Sequence, residues 1–242
     1  MKIPENIAEV FHIKEEKWKD DDELFTIARN ELYTAVVGDI MDKIGLMHQF
    51  LSPEIRPLRN DMFVVGRAMT VLEADVTSNE SSHNAVLNKP FGLMLEALDD
   101  LKQNEVYVCA GASPTYALWG ELMAARAQTL GAAGAVVDGY LRDTRGILAL
   151  NFPSFSYGSY AQDQAPRGKV IGFRTPIQMN GVLIHPGDIV MGDIDGVCVV
   201  PQHAVTEVFR LAIEKARGEK MVHKKIQEGM SAAEAFKKYG IM

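Results

Sequence analysis

With 242 residues, 47% of them hydrophobic, the chain holds enough apolar material for a substantial core, as one large domain or one domain with helical extensions. Its net charge of −7 argues against a general nucleic-acid or anionic-membrane surface, while leaving room for a local basic pocket. Cys109 and Cys198 both fall in apolar, strand-like runs and read as small buried hydrophobes of a reducing compartment; no run of signal-peptide or membrane-span character is present, so the expectation is a soluble, cytoplasmic protein.

Residues 1–30 are charged, with apolar side chains at Ile7, Val10, Phe11, Ile13, Trp18, Leu24, Phe25 and Ile27. That pattern predicts amphipathic helical pieces packed on the body or on a neighbouring chain. The chain therefore divides into an N-terminal helical extension, 1–30, and a main domain, 31–242, that includes the C-terminal helices. TAVVGDIMDKI (34–44) predicts a short helix with Thr34 as N-cap and Gly45 as its stop, Asp39 and Asp42 lying on a solvated face. FVVGRAMTVLEA (63–74) predicts a strand, with Gly66 as a bulge. A polar, turn-rich segment (75–87) follows, in which His83 reads as a surface or helix-start residue. A helix is expected over 91–101.

EVYVC (105–109), the loop AGASPTYALWG (110–120), a helix opening at Glu121 and stopped by Gly131, and a buried strand before Asp138 make a βαβ unit. Its two strands should be parallel through a right-handed crossover, which sends both following loops to one carboxyl edge. ILAL and FPSFSYG predict a short helix and another strand, and a variable loop (158–169) leads to KVIGF. VLIHPGDIVMGDIDGVCVVP (182–201) has β-branched runs punctuated by Pro-Gly-Asp (186–188) and Asp-Gly (195–196), the chemistry of tightly connected antiparallel strands. The D-x-D-G at 193–196 lacks the long acidic loop and terminal Glu of a calcium site, so its aspartates read as turn formers. An amphipathic helix is expected over 203–217, then a last helix with Ser231 and Glu234 spaced as a capping box.

The chemistry gathers in the βαβ unit. Gly120 precedes the helix, so the free N–H groups of Glu121, Leu122 and Met123 offer a seat for a carboxylate or phosphate. Arg142 offers a planar donor fork, and Asp143 a hard oxygen suited to hydrated Mg²⁺ or Mn²⁺. Bland alternatives stand beside these readings: Glu121 as an acid favoured by the helix dipole, and Arg142-Asp143 as a surface ion pair. The chain carries no GxSxG elbow, CxxC pair, HExxH, Walker loop or G-x-G-x-x-G turn, and between 103 and 200 its one lysine is Lys169. A metal-assisted acid–base site for a small anionic substrate remains.

The run WGELM…GAAGAVVDGYLRD, followed by HPGDIVMGDIDGVCVVP, resembles the RraA-like family over roughly residues 30–240, most strongly over 111–201. That family includes 4-hydroxy-4-methyl-2-oxoglutarate/4-carboxy-4-hydroxy-2-oxoadipate aldolases, non-catalytic regulators of ribonuclease E activity, and proteins once labelled demethylmenaquinone methyltransferases. The aldolases carry an acidic residue, twenty intervening residues, then Arg-Asp; here these are Glu121, 122–141, Arg142 and Asp143, with Glu121 replacing the family's usual Asp. The resemblance implies an αββα sandwich of the swivelling β/β/α type with N- and C-terminal helical extensions. It implies that Asp143 binds Mg²⁺ or Mn²⁺ directly, that Arg142 contacts the substrate carbonyl or enolate oxygen, and that Glu121 orients metal-bound water. The Gly120 turn and the amides of Leu122 and Met123 would take the pyruvate carboxylate. A homotrimer or trimer-based hexamer is implied, with Glu219 of a neighbouring chain (Glu214 as the alternative) acting on the metal through water. The implied reaction is class II retro-aldol cleavage of a 4-hydroxy-4-methyl-2-oxoglutarate-type 2-oxo acid to pyruvate, with oxaloacetate decarboxylation as a side activity. The alternative is a non-catalytic, protein-binding regulator of ribonuclease E-type RNA degradation; retention of Asp143 favours the enzyme.

Overall fold

Across residues 16–76 and 83–240, which the computed structural model describes, one twelve-residue strand organises the sheet. In chain order the first half runs α1 (Asp21–Glu31), α2 (Thr34–Lys43), β1 (Arg56–Pro57), β2 (Val64–Asp75), α3 (Met94–Asp99), β3 (Glu105–Ala110), β4 (Ala117–Trp119), α4 (Glu121–Thr129) and β5 (Gly134–Val137). There follow β6 (Tyr140–Leu141), α5 (Thr144–Leu150), β7 (Ser154–Ser156), β8 (Gly168–Phe173), β9 (Ile177–Met179), β10 (Val182–Ile184), β11 (Ile189–Asp193), β12 (Gly196–Val200), α6 (Val205–Gln227) and α7 (Ala232–Tyr239). The main sheet has the order β1-β7-β5-β3-β2-β11-β12. On one edge β2 pairs in parallel with β3; on the other its first half pairs with β11 and its second half with β8, both antiparallel. β3 and β5 are parallel, as the βαβ reading requires.

Residue parity along these strands decides which core each side chain enters, because successive side chains point to opposite faces. Odd-numbered Val65, Ile189, Met191 and even-numbered Cys198 and Val200 pack under α1, α2 and α6. Met69, Val71, Tyr107, Cys109, Ala135 and Val137 pack under α3, α4 and α5. The opposite parity (Val64, Ala68, Val106, Val108, Val136, Val190, Val197 and Val199) faces a second layer formed by the β9–β10 hairpin, with Ile177, Met179, Val182 and Ile184. Both faces of the strands are thus covered, which is why they read as nearly continuous β-branched runs. Each fully buried Val, Leu or Ile contributes about 1.5–3 kcal/mol. Helices on one side, the sheet, and a second β layer give the mixed α/β, β/β/α architecture expected from the sequence. The sheet curls on itself: Arg56 of β1 donates from Nη1 to the Ile194 carbonyl, in the β11–β12 turn, at 2.9 Å.

Residues 16–31 belong to this packing. Leu24, Phe25 and Ala28 of α1 are wholly buried, and α1 is clamped at both ends, by Arg67 on Asp21 (2.6 and 2.8 Å) and Arg217 on Glu31 (2.7 and 2.8 Å). Ile7, Val10, Phe11 and Ile13 lie outside the described residues. Among those described, no helix is long and apolar enough to cross a membrane.

Several local expectations change. Thr34 is the first helical residue of α2; the N-cap is Tyr33, whose side chain makes no cap bond. The capping oxygens come instead from Asp193, which accepts from Thr34 N–H and Oγ1, each at 2.7 Å, and from Asp195 N–H at 2.9 Å. The D-x-D-G turn therefore stops a β-hairpin and starts a helix distant in sequence. Gly66 is no bulge: it pairs regularly with Val190, and a Cβ there would lie 2.3 Å from the Asn104 carbonyl, so close backbone approach selects glycine. The irregularity in β2 falls at Leu72/Glu73, against β8. The helix expected over 91–101 is confined to Met94–Asp99, while α6 runs through a buried Gly218 to Gln227. The Ser231–Glu234 capping box forms as the spacing predicts. Asp193→Ala should lower unfolding free energy by about 1–2 kcal/mol, the worth of a lost N-cap, and chemical denaturation followed by circular dichroism checks it.

Candidate active site

The loops after β3 and β5 leave the sheet at one edge, and a second, two-stranded sheet then ties them together. β4 and β6 pair in parallel, with Trp119 opposite Leu141, and Arg142 N–H donates to the Trp119 carbonyl at 2.8 Å. Gly120 and the Arg142-Asp143 pair, far apart in sequence, become neighbours by backbone pairing alone. Trp119 anchors this small sheet in the core, with its ring 4.9 Å from Tyr107 and 6.0 Å from Phe152.

Three backbone features shape the site. Gly120 is the extended N-cap of α4, and a Cβ on it would come within 2.9 Å of Asp143 Oδ2 and 3.6 Å of Arg142 Cγ, so the missing side chain makes room for the pair. The first helical bond of α4 runs from Ala124 N–H to Gly120 O, which leaves the amides of Glu121, Leu122 and Met123 without a partner inside the helix. Asp143 adopts the left-handed conformation (φ 56°, ψ 34°) at the start of α5, a region that Asp tolerates better than most residues and that clusters at functional sites.

The side chains complete the arrangement. Arg142 Nη1 lies 3.0 Å from Asp163 Oδ1, and its Nε lies 3.7 Å from Asp143 Oδ2. Glu121 folds its carboxyl over Gly146 of α5, where a Cβ would lie 2.0 Å from Glu121 Cδ. It shares an open hollow with Asp143, Thr144 and Arg145. Beside that hollow is a cavity of about 250 Å³, with Gly120, Arg142, Asp143, Asp163 and Gln164 at its polar end and Phe91, Met94, Leu95, Leu98, Leu118 and Trp119 as its apolar wall. Leu122 and Met123 stand at its rim. The structure thus brings together Gly120, Glu121, Leu122, Met123, Arg142 and Asp143. Glu219 does not line this cavity within its own chain: on α6 it accepts a hydrogen bond from Tyr33 Oη and lies 3.5 Å from Lys215 Nζ.

Among the described residues, no three His, Cys, Asp or Glu side chains cluster to hold a metal. Zinc, which wants three or four nitrogen or sulfur ligands, does not fit this donor set. Mg²⁺ and Mn²⁺ fit it: such ions retain most of their water and take one or two carboxylates, and Asp143, with Glu121 across the hollow, offers that.

Three residues absent from the sequence reading matter here: Asp163, Gln164 and Glu73. Gln164 donates from Nε2 to Glu73 Oε1 at 2.7 Å, and accepts at its carbonyl from Arg167 and Gly168 N–H (2.5 and 2.9 Å), so it fastens the 158–167 loop to β2. Glu73 is 2% exposed. Burial pushes its carboxyl up to about 8, the Gln164 bond holds it back, and the nearby Asp75 charge adds to the rise. A sequence signal existed: Glu73 is an acid next to the mostly apolar run 68–72, on the helix-facing parity of the strand.

A family model described as RraA-like, Aldolase/RraA, matches residues 34–199. A protein of Halalkalibacterium halodurans named "Putative 4-hydroxy-4-methyl-2-oxoglutarate aldolase" is 33% identical over 204 residues, 84% of this chain and 89% of its own. Among solved structures, an uncharacterized protein from Pseudomonas syringae pv. tomato superposes with a TM-score of 0.74 at 25% identity, over 90% of this chain and 99% of that one. Streptomyces coelicolor RraAS2, an unusual member of the RNase ES inhibitor RraA protein family, gives 0.73 at 23% identity, over 86% and 100%, a likeness of fold alone.

The buried acid has a measurable signature. Glu73 keeps its proton in the folded protein up to about pH 8 and loses it near the ordinary glutamate value when unfolded. Between those values the folded state binds more protons, so this contribution to stability is full at low pH and declines as pH rises toward 8. Glu73→Gln should flatten the slope of unfolding free energy against pH from about 5 to 8; denaturant titrations at several pH values check it.

Proposed function

This chain belongs to the RraA-like family, and from that premise we propose that it is a divalent-metal-dependent aldolase releasing pyruvate from 4-hydroxy-2-oxo acids, the class that includes 4-hydroxy-4-methyl-2-oxoglutarate. The observation that carries the proposal is the meeting, at one cavity mouth, of the α4 N-terminus, the Arg142 guanidinium and the left-handed Asp143. A regulator acting without chemistry has no need of an oxygen donor held in a sparsely populated conformation beside an anion seat.

The amides of Leu122 and Met123, reinforced by the α4 dipole, receive the substrate carboxylate in the room that Gly120 leaves. That seat directs the C2 carbonyl oxygen toward Arg142. Asp143, with Glu121 across the hollow, would hold Mg²⁺ or Mn²⁺, which when bound supplies a Lewis acid for the 2-oxo acid. Glu121 orients the water that accepts the 4-hydroxyl proton. As that proton leaves, the C4–O bond becomes a carbonyl and the C3–C4 bond breaks. The electron pair passes through C3 to the C2 oxygen, giving an enolate whose charge faces the guanidinium. Protonation at C3 yields pyruvate. Asp163 holds the guanidinium in place with an ion pair through Nη1. Oxaloacetate decarboxylation leads to the same enolate and is the side activity proposed.

We also assign the working assembly as a homotrimer or trimer-based hexamer in which Glu219 of a neighbouring copy supplies one more carboxylate. A solution mass of three or six times 26.7 kDa by light scattering is expected. Pyruvate release should depend on added Mg²⁺ or Mn²⁺ and stop with EDTA. Asp143→Ala should reduce it to background, and Arg142→Lys, which keeps the charge but loses the planar fork, should reduce kcat by about 100-fold. Turnover by Asp143→Ala at the wild-type rate sinks the proposal.

A further inference from the structure

Resting on that reading, which specifies only the pyruvate half of the substrate, the cavity says what the other half is. Its far wall is formed by Phe91, Met94, Leu95, Leu98, Leu118 and Trp119, whose one polar side-chain atom is the buried indole N–H of Trp119. Among its described lining residues Arg142 is the single cation, and its guanidinium is already 3.0 Å from Asp163. Other cations lie around the cavity but do not line it: Arg167 donates from Nη1 to the Asp163 carbonyl at 3.1 Å, Arg145 sits in the adjoining hollow, and on the outer face of α3 Lys89 pairs with Glu96 and Arg126 with Asp99 at 2.8 Å. The polar end holds two carboxylates, Asp143 and Asp163, against that one guanidinium.

A substrate with a carboxylate on C4 would bring a second negative charge into a space whose described lining offers one guanidinium, already paired with Asp163, and losing its hydration there is costly. A hydrocarbon group on C4 meets the opposite conditions: it leaves water for a wall of aliphatic and aromatic side chains. We propose that the preferred substrates are 4-hydroxy-2-oxo monocarboxylic acids carrying an alkyl or aryl group on C4, cleaved to pyruvate and an apolar aldehyde or ketone. The hydroxyl proton leaves the C4 oxygen, the C3–C4 electron pair remains with the pyruvate fragment, and a proton returns to C3, so no further reactant is needed.

The test is pyruvate release, with Mg²⁺ present, from 4-hydroxy-2-oxopentanoate, its longer straight-chain homologues and 4-hydroxy-4-methyl-2-oxoglutarate. The expected kcat/KM rises about threefold to fourfold per added methylene until the cavity is filled. It exceeds that for the dicarboxylate by at least about tenfold. Leu95, 55% exposed on α3 at the cavity wall, accepts a charge without disturbing the core. Leu95→Arg should lower kcat/KM for the alkyl substrates and raise it for the dicarboxylate, reversing or erasing the preference. A wild-type preference for the dicarboxylate overturns the inference and leaves the aldolase reading standing. Absence of pyruvate from every compound in the series overturns both.

Discussion

The hydrogen bond from Arg142 N–H to the Trp119 carbonyl is the constraint on which the site depends. It extends the short β4–β6 pairing to the point where one strand becomes α4 and the other becomes the Arg-Asp pair. The two chemical halves, an anion seat made of backbone amides and a cation-plus-carboxylate pair, are thereby held in backbone register. Side-chain packing has only to maintain what the main chain has aligned. Gly120 carries the steric half of this arrangement, since a Cβ at position 120 would push the Asp143 carboxylate, 2.9 Å away, out of its present place.

Legibility in the sequence followed the range of the interactions involved. The βαβ unit, the β11–β12 hairpin and the Ser231–Glu234 box could be read because each is specified by residues near one another in the chain. The capping of α2 by Asp193 could not, because the capping oxygen lies 159 residues away and the Asp-Ile-Asp-Gly run already had a sufficient local explanation as a turn. Two- and three-residue strands such as β4 and β6 are too short to show any period, so the small sheet that assembles the site was invisible while its end residues were not. Asn180-Gly181, both with positive φ (51° and 87°), was a readable hairpin signal for β9–β10 that the strand pattern around it did not advertise. Asp163 and Gln164 sit in a loop with no periodicity, and their importance comes entirely from what they reach, Arg142 and Glu73.

The cavity joins two kinds of surface that act by different physics. At its polar end, direction matters: amides, guanidinium and carboxylate each present a fixed geometry to a small group of atoms. Along its wall, area matters, and the side chains from α3 and β4 are interchangeable within limits of volume. α3 is amphipathic in a functional sense: one face builds the wall, while Glu96 and Asp99 on the other draw Lys89 and Arg126 away from it.

The alternation along β2 carries one more consequence. Because neighbouring positions in this strand belong to different cores, removing or adding one residue between Val64 and Asp75 would send every later side chain to the wrong layer, moving Glu73 away from Gln164 and Val71 out of its pocket. Substitution at any one of these positions costs a side chain; a change of length costs the registration of two cores with β3, β8 and β11 together. The strand is therefore a ruler for the chain, and only the turns at its ends can absorb a change of length without moving both cores.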